Sequence, residues 1–351
     1  MRVGLSLLTL VPGEVGGAET SARGLARGLA EVGTLEYAAF TPPAAPGAGE
    51  GLPETVVAEY RDARSVQQRF VAMTLAALRP GRMRARFAGL DAVHYPLTIA
   101  LPTLELPSAV TVHDLQHLDH PELFSRGERL WRARAHERAA RNAQAVIVPS
   151  QFVRRRAVEL LGLPPERVHA IPWGVDHERF RPRDEEREPF LLYPARPWPH
   201  KNHERLFEAF VRLREERPEL RLVLTGGGHE GGPVPPGVEV RGHVSRDELA
   251  SLYRRTACLV FPSLYEGFGQ PPLEAMACGC PVAASRGGSL PEACGDAAAF
   301  FDPEDAEDIA AVVAAVLESP ERLVAGGLER AAQFTWTESA RRHEAVYRSL
   351  G

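Results

Sequence analysis

Short, nearly unbroken apolar runs recur along the chain, and the stretches between them carry their apolar positions at helical spacing. In the first half the runs fall at residues 2–10, 92–95, 109–112, 145–148 and 168–171; in the second at 190–193, 221–225, 238–241, 258–261 and 282–284. Runs without polar alternation read as strands buried on both faces, and their regular exchange with helices predicts parallel sheets in an α/β fold. The interval DHERFRPRDEEREP, 176–189, is polar, proline-containing and non-periodic, so it reads as a linker between two halves. Residues 41–54, TPPAAPGAGEGLPE, are too rich in Pro, Gly and Ala to promise packing and read as a mobile surface loop. The final helix, 337–350, gathers Ala340, Val346, Tyr347 and Leu350 on one side, so it must pack on something.

Length agrees with two cores, since 351 residues exceed what one core usually supports. A hydrophobic fraction of 44% and a charged fraction of 25% describe a globular chain and exclude disordered or fibrous classes. The N-terminal run is too short for a membrane span and lacks a clean cleavage site, which favours a buried first strand in a cytoplasmic protein. Cys258, Cys278, Cys280 and Cys294 show neither a stapling framework nor zinc-ligand spacing. Residues 1–173 carry a net charge of +3 and the remainder −8. Basic clusters of the first half, such as RMRAR at 82–86 and Arg154 to Arg156, are read as solvated helix faces, with contact to an anionic membrane surface or lipid-linked acceptor as the functional alternative.

Forty of the 41 basic residues are arginines, and Lys201 is the one lysine. Where a solvated positive charge suffices this chain uses Arg, so a retained Lys marks a place that needs a compact ammonium. Lys201 follows Arg196 by five positions, beyond a strand and before a helix, at the carboxyl edge where open parallel sheets bind ligands. Two cations there suit a pyrophosphate; a Schiff-base lysine is the rival role.

The stretch PSLYEGFGQPPLEAMACG, 262–279, follows another strand. Gly267 and Gly269 permit close backbone approach, and Pro271 and Pro272 can begin a helix whose first amides face the strand edge. Glu266 and Glu274 then lie close enough in sequence to serve one small site. Vicinal hydroxyls, a metal, or a glycosidase pair are all compatible with two such carboxylates. VGGAET, 15–20, places Gly16 and Gly17 between a strand and an amphipathic helix, which offers amides to a phosphate but lacks an NAD-type G-x-G-x-x-G. In TVHDLQHLDHPELF, 111–124, His113 stands at a strand end as a single polar site residue, and the His/Asp mixture lacks a metal-binding frame. No Asp-x-Asp occurs, so a diphosphate would be held by cationic side chains and helix ends, without a metal.

Together these pieces resemble the retaining glycosyltransferases of family 4, with the GT-B fold. GGAE at 16–19, HDLQ at 113–116, VPS at 148–150, IPWGVD at 171–176, ARPWPHKN at 195–202, LVLTGGG at 222–228, GHVSRDEL at 242–249 and EGFGQPPLE at 266–274 stand in the family's order. The resemblance implies two Rossmann-like domains facing across a deep cleft: an acceptor-side domain, 1–173, a nucleotide-sugar domain, 174–334, and a last helix, 335–351, that crosses back to the first. It implies Arg196 and Lys201 on the donor diphosphate, Glu274 on the ribose, and Glu266 with the amides of Phe268 and Gly269 on the sugar. Gly16 and Gly17 would meet the distal phosphate, His113 the transferring sugar, and Val244 would lie near the base. No cofactor beyond the nucleoside-diphosphate sugar is expected, the acceptor is a saccharide or lipid-linked, and nucleic acid is not a partner. HDLQHLDHPELFS and WPHKN resemble bacterial mannosyltransferases of polysaccharide assembly, which favours GDP-mannose. Pro194 and Ala195 depart from the Val-Gly more usual in the family. A nucleotide-sugar epimerase and a glycan phosphorylase on a related scaffold are the competing enzyme classes.

Overall fold

The computed structural model describes all residues but Val15, Arg79, Glu230 and Gly231, and divides into two compact units, Met1–Gly174 with Thr335–Gly351, and Val175–Phe334. The first unit holds seven strands: β1 (Arg2–Ser6), β2 (Glu36–Thr41), β3 (Glu54–Val56), β4 (Ala92–Tyr95), β5 (Ser108–Thr111), β6 (Ala145–Val148) and β7 (Val168–Ala170). They form one parallel sheet in the order β3-β2-β1-β4-β5-β6-β7. Parallel neighbours require crossovers, and helices supply them. The helix α1 (Gly17–Val32) joins β1 to β2 and buries Ala22, Leu25, Ala26 and Leu29, a three-and-four spacing that lays one stripe on the sheet. It is followed by α2 (Val66–Leu78), α3 (Arg126–Arg132) and α4 (Gln151–Leu161). The boundaries of α4 are written locally: Ser150 Oγ accepts from the Val153 amide at 3.1 Å, and Gly162 ends the helix at φ 65°.

The segment expected to stay loose, 41–54, is packed. Ala45, Ala48 and Leu52 are buried, and the Glu54 carboxylate collects the amides of Gly47 and Gly49 at 2.9 and 3.0 Å and the Thr41 hydroxyl at 2.9 Å. A single side chain therefore satisfies the turns that composition left without visible partners. Glu50 in the same segment pairs with Arg23 and Arg27 of α1.

The C-terminal helix, Trp336–Arg348, lies on α1. Glycines allow the approach: a Cβ on Gly24 would meet Trp336 Cε2 at 2.1 Å, and one on Gly28 the Trp336 carbonyl oxygen at 2.5 Å. The Glu344 carboxylate accepts from the Thr34 amide at 2.7 Å, the Thr34 hydroxyl at 2.5 Å and the Tyr37 hydroxyl at 2.7 Å. Tyr347 donates or accepts with His94 Nδ1 at 2.7 Å, deep in the core. Leu350, expected on the packed side, is only half-buried beyond the helix end.

The second unit has six parallel strands: β8 (Glu188–Pro194), β9 (Arg221–Thr225), β10 (Val238–Val240), β11 (Thr256–Phe261), β12 (Val282–Ser285) and β13 (Ala299–Phe301), ordered β10-β9-β8-β11-β12-β13. Its helices include α5 (His203–Glu216), α6 (Arg246–Arg255) and α7 (Gln270–Ala277). The order turns between β8 and β11, and the crevice at their carboxyl ends is where such sheets take ligands. Among the described residues no helix is long and apolar enough to cross a membrane.

Two outcomes follow from this packing. Gly28→Ala gains about 1 kcal/mol of helix propensity but drives a methyl into backbone at a cost of about 1–3 kcal/mol. Its denaturation midpoint should therefore fall, whereas Gly127→Ala, in open space on α3, should raise it; equal gains in both would contradict the close helix contact. The Glu344 carboxyl is held down to about 2: burial pushes its pKa up, but the hydrogen bonds from Thr34 and Tyr37 and the Arg348 guanidinium outweigh it. A depressed carboxyl stabilises the fold above its ordinary pKa and loses that contribution as pH falls through the folded value. Glu344→Gln should cost about 2–3 kcal/mol at neutral pH, and its melting temperature should converge on wild type between about pH 4.5 and 2.

Candidate active site

The end of β8 sets the first part of the site. Its apolar stretch, Phe190 to Tyr193, is fully covered, and beyond Pro194 the chain turns through Pro199–Lys201 into Asn202, which sits at φ 59° and starts α5. The Tyr193 hydroxyl donates to the Lys201 carbonyl at 2.6 Å. Leu264 donates its amide to the His200 carbonyl at 2.8 Å, and Asn202 Nδ2 reaches the Pro262 and Pro303 carbonyls. The loop after β8 is thus sewn to the loop after β11.

That stitching brings Lys201 Nζ to Glu266 Oε1 at 2.5 Å, with each side chain only 14% exposed. The ammonium also stands 5.6 Å from the Phe261 ring centroid. Glu266 is fixed from behind, because Ser289 donates both its amide and its hydroxyl to the Glu266 carbonyl at 3.0 Å. The two backbones touch so closely that a Cβ on Gly288 would fall 2.4 Å from that oxygen. Arg196 lies half-buried at the same strand end, its guanidinium 5.9 Å from the Trp198 ring centroid. The departure at Pro194 and Ala195 is absorbed without breaking the strand: Pro194 pairs with Thr225, and His229 Nε2 donates to the Ala195 carbonyl at 2.7 Å.

Gly269 takes φ 99° as the N-cap of α7, and Pro271 and Pro272 occupy the first turn, where missing amides cost least. Phe268 is buried edge-on against Phe334. One turn inside α7, Glu274 is 2% exposed and accepts from Arg246 Nη2 at 2.9 Å and Gln270 Nε2 at 3.3 Å. Burial pushes its pKa up, and Arg246 pulls the other way. Arg246 is itself laid over the Phe180 ring at 4.8 Å, two residues after the half-buried Val244. The two glutamates, expected to serve one small site, therefore each have a cation of their own. Arg246 escaped the sequence reading, although Ser245 accepting from the Glu248 amide at 3.1 Å is a legible helix start that places an Arg at its first position.

Gly16, Gly17 and His113 belong to the first unit. Gly16 adopts φ 57° and ψ −131° at the start of α1, both glycines are exposed, and no side chain caps that end. A Cβ on Gly17 would rest 3.5 Å from the Trp173 ring. His113, two residues beyond β5, donates from Nε2 to the Pro96 carbonyl at 2.9 Å and stands edge-on to Trp173 at 5.4 Å. A carbonyl can only accept, so Nε2 carries the proton and Nδ1 is left as an acceptor, with no partner. Burial pushes the imidazole down to about 4, which keeps it neutral.

Comparison with known proteins agrees with the two-unit fold. Residues 15–179 match the Glycosyltransferase Family 4 model and residues 175–327 the Glycosyl transferases group 1 model. The chain is 31% identical over 304 residues to the MMP alpha-(1->4)-mannosyltransferase of Mycolicibacterium hassiacum, covering 77% of this chain and 74% of that one. It is 28% identical to O-antigen chain mannosyltransferase B of Escherichia coli, over 74% of this chain and 75% of the relative. Its fold matches sucrose-phosphate synthase of Thermosynechococcus elongatus with a TM-score of 0.80 at 22% identity, across 100% and 99% of the two chains. Two parallel-sheet units, matched over the whole chain by a solved structure and over residues 15–327 by the two family models, make the chain a GT-B glycosyltransferase of family 4.

Proposed function

We propose that the chain transfers mannose from GDP-mannose to a saccharide or lipid-linked acceptor, with retention of configuration and without a metal. The observation that carries this is the lone lysine of the chain, part-buried against Glu266 beyond the carboxyl end of β8. An ammonium in that position, beside Arg196, suits the charge that builds on a departing diphosphate. The mannosyl choice is supported by the names of the two mannosyltransferase relatives.

In this scheme the bond between the anomeric carbon and the diphosphate oxygen breaks, Arg196 and Lys201 receive the developing charge, and the acceptor hydroxyl bonds to the anomeric carbon. The hydroxyl proton passes to a diphosphate oxygen. Glu266 and the amides of Phe268 and Gly269 hold the sugar, Glu274 the ribose hydroxyls, and Val244 borders the base. Burial pushes the Glu274 carboxyl up and Arg246 offsets part of that push, while the hydrogen bond from Arg246 fixes the carboxylate that would accept from two hydroxyl groups. From the first unit, the family resemblance assigns the Gly16 and Gly17 amides to the distal phosphate and His113 to the sugar, where the neutral Nδ1 would accept from a hydroxyl. Residues 1–173 would then serve the acceptor and 174–334 the donor, on the cytoplasmic side with peripheral membrane contact.

A panel of GDP, UDP and ADP by calorimetry, followed by mass-spectrometric detection of transfer, tests the donor; preference for another nucleotide sugar sinks the GDP-mannose choice. Lys201→Ala should lower kcat by about 10²–10³, and a near-normal rate would remove Lys201 from the chemistry. Glu274→Gln should act mainly on the donor KM, raising it about tenfold, the effect expected when a charge-assisted bond is weakened. Transfer should be unchanged by EDTA, and loss of activity restored by a divalent ion would contradict the metal-free scheme.

A further inference from the structure

The polar stretch 176–189 runs along α6 instead of standing free of it. Arg179 donates from Nη1 to Asp176 at 2.7 Å and from Nε to Asp247 at 2.8 Å, and the Phe180 amide returns to the Asp176 carbonyl at 2.8 Å. Farther along, the Ser251 hydroxyl donates to Glu185 at 2.9 Å, and Arg254 pairs with the same carboxylate. Fastened at both ends, the stretch sets the fully buried Phe180 ring against α6. It stands edge-on to Tyr253 at 5.9 Å and carries the Arg246 guanidinium over its face at 4.8 Å.

Arg246 passes that placement on to Glu274. Its Nη2 donates to Oε1 at 2.9 Å, and Gln270 Nε2 adds a second donor to the same oxygen at 3.3 Å. Among the described residues Oε2 is met by the Tyr253 hydroxyl alone, at 3.5 Å, beyond the ordinary O–H···O range. One oxygen of the carboxylate is therefore committed, and the other has capacity for further donors. The exposures give the direction of approach: 39% of the Arg246 side chain is exposed, against 3% of Glu274. A ligand that reaches the carboxylate meets the guanidinium first. A planar guanidinium stacked on a ring has a fixed direction that a solvated ammonium lacks, and the oxygen it leaves open has a fixed direction too.

We propose that Arg246, seated on Phe180, is a positioning residue that reserves Oε2 of Glu274 for the ribose and so sets a preference for nucleoside diphosphates that keep their ribose hydroxyls. The preference rests on the reading of Glu274 as the ribose carboxylate; the seating rests on the distances above. A ligand without those hydroxyls strands a buried carboxylate oxygen, and the stranded bond is of the stronger, charge-assisted kind. Arg246 acts on this without touching the reacting atoms. It orients the carboxylate, and it is the first of the influences that oppose the upward push of burial on the Glu274 carboxyl.

The test measures, by calorimetry on the full chain, the dissociation constants of GDP and 2′,3′-dideoxy-GDP, and of UDP and 2′,3′-dideoxy-UDP as a second pair. For the nucleotide that binds, wild type should disfavour the dideoxy form by about tenfold or more, the loss of a bond to a charged group. In Arg246→Met and in Phe180→Leu the ratio should shrink to about threefold or less, and the double variant should lose no more, because the two act along one path. A fall in the folded fraction lowers the number of sites for both ligands alike, so it leaves the ratio untouched. Glu274→Gln should abolish the preference, and Arg205→Gln, exposed on α5, should retain it. Between about pH 9 and pH 6, GDP binding should weaken more steeply in Arg246→Met than in wild type, because protonation of the raised carboxyl is no longer opposed by that cation. Of the other groups facing Glu274, Asp176 adds to the push, and Tyr253 and Cys278, themselves pushed up, stay neutral. An unchanged ratio in Arg246→Met overturns the proposal, and a full ratio in Phe180→Leu overturns the part given to Phe180. Failure of wild type to bind either GDP or UDP would instead sink the reading of the nucleotide site, and this proposal with it.

Discussion

The second unit is organised around one part-buried ion pair, Lys201 with Glu266. Removing two charges from water is expensive, and their attraction repays it only when the geometry is held and other bonds are met. The chain supplies that restraint through backbone: Leu264 bonded to His200, Ser289 bonded to Glu266, and glycines at 287 and 288 that let the loops after β11 and β12 touch. In the proposed scheme the diphosphate takes over the ammonium while the carboxylate turns to hydroxyl groups. The same restraint explains the choice of lysine, whose compact charge faces one oxygen where a planar guanidinium would demand two.

Glu274 shows the complementary arrangement. Its carboxylate is buried more completely than Glu266 and would drift toward neutrality if Arg246 were absent. Arg246 is in turn pinned over Phe180, in the segment 176–189 whose polarity hides a fully buried aromatic. The two glutamates thus meet cations that differ in shape, reach and rigidity.

Much of this was legible in the residues. The single lysine, the eight-residue spacing of the glutamates and the glycine–proline turn between them located the loops that the fold brings together. The central strands were legible because uninterrupted apolar runs have few other readings. What stayed hidden depended on side chains acting at a distance. The segment 41–54 reads as loose chain because one carboxylate, Glu54, organises turns that composition alone leaves unexplained, and β2 and β3 beside it do not stand out. Arg246 could not be told from other helix-start arginines until Glu274 was placed beneath it. A π-helical turn, Ala133–Glu137, is invisible in RARAHERAAR, since its residues continue helical composition without a break.

The position of the C-terminal helix has a consequence for biosynthesis. Residues 1–174 leave the ribosome first, yet the surface of α1 around Gly24 and Gly28, and the hydrogen-bonding partners of Thr34, Tyr37 and His94, are completed only by Trp336, Glu344 and Tyr347. The whole of Val175–Phe334 must be synthesised in between. The earlier half of the nascent polypeptide therefore waits, incompletely covered and open to chaperones, while the later half can finish folding as soon as it emerges.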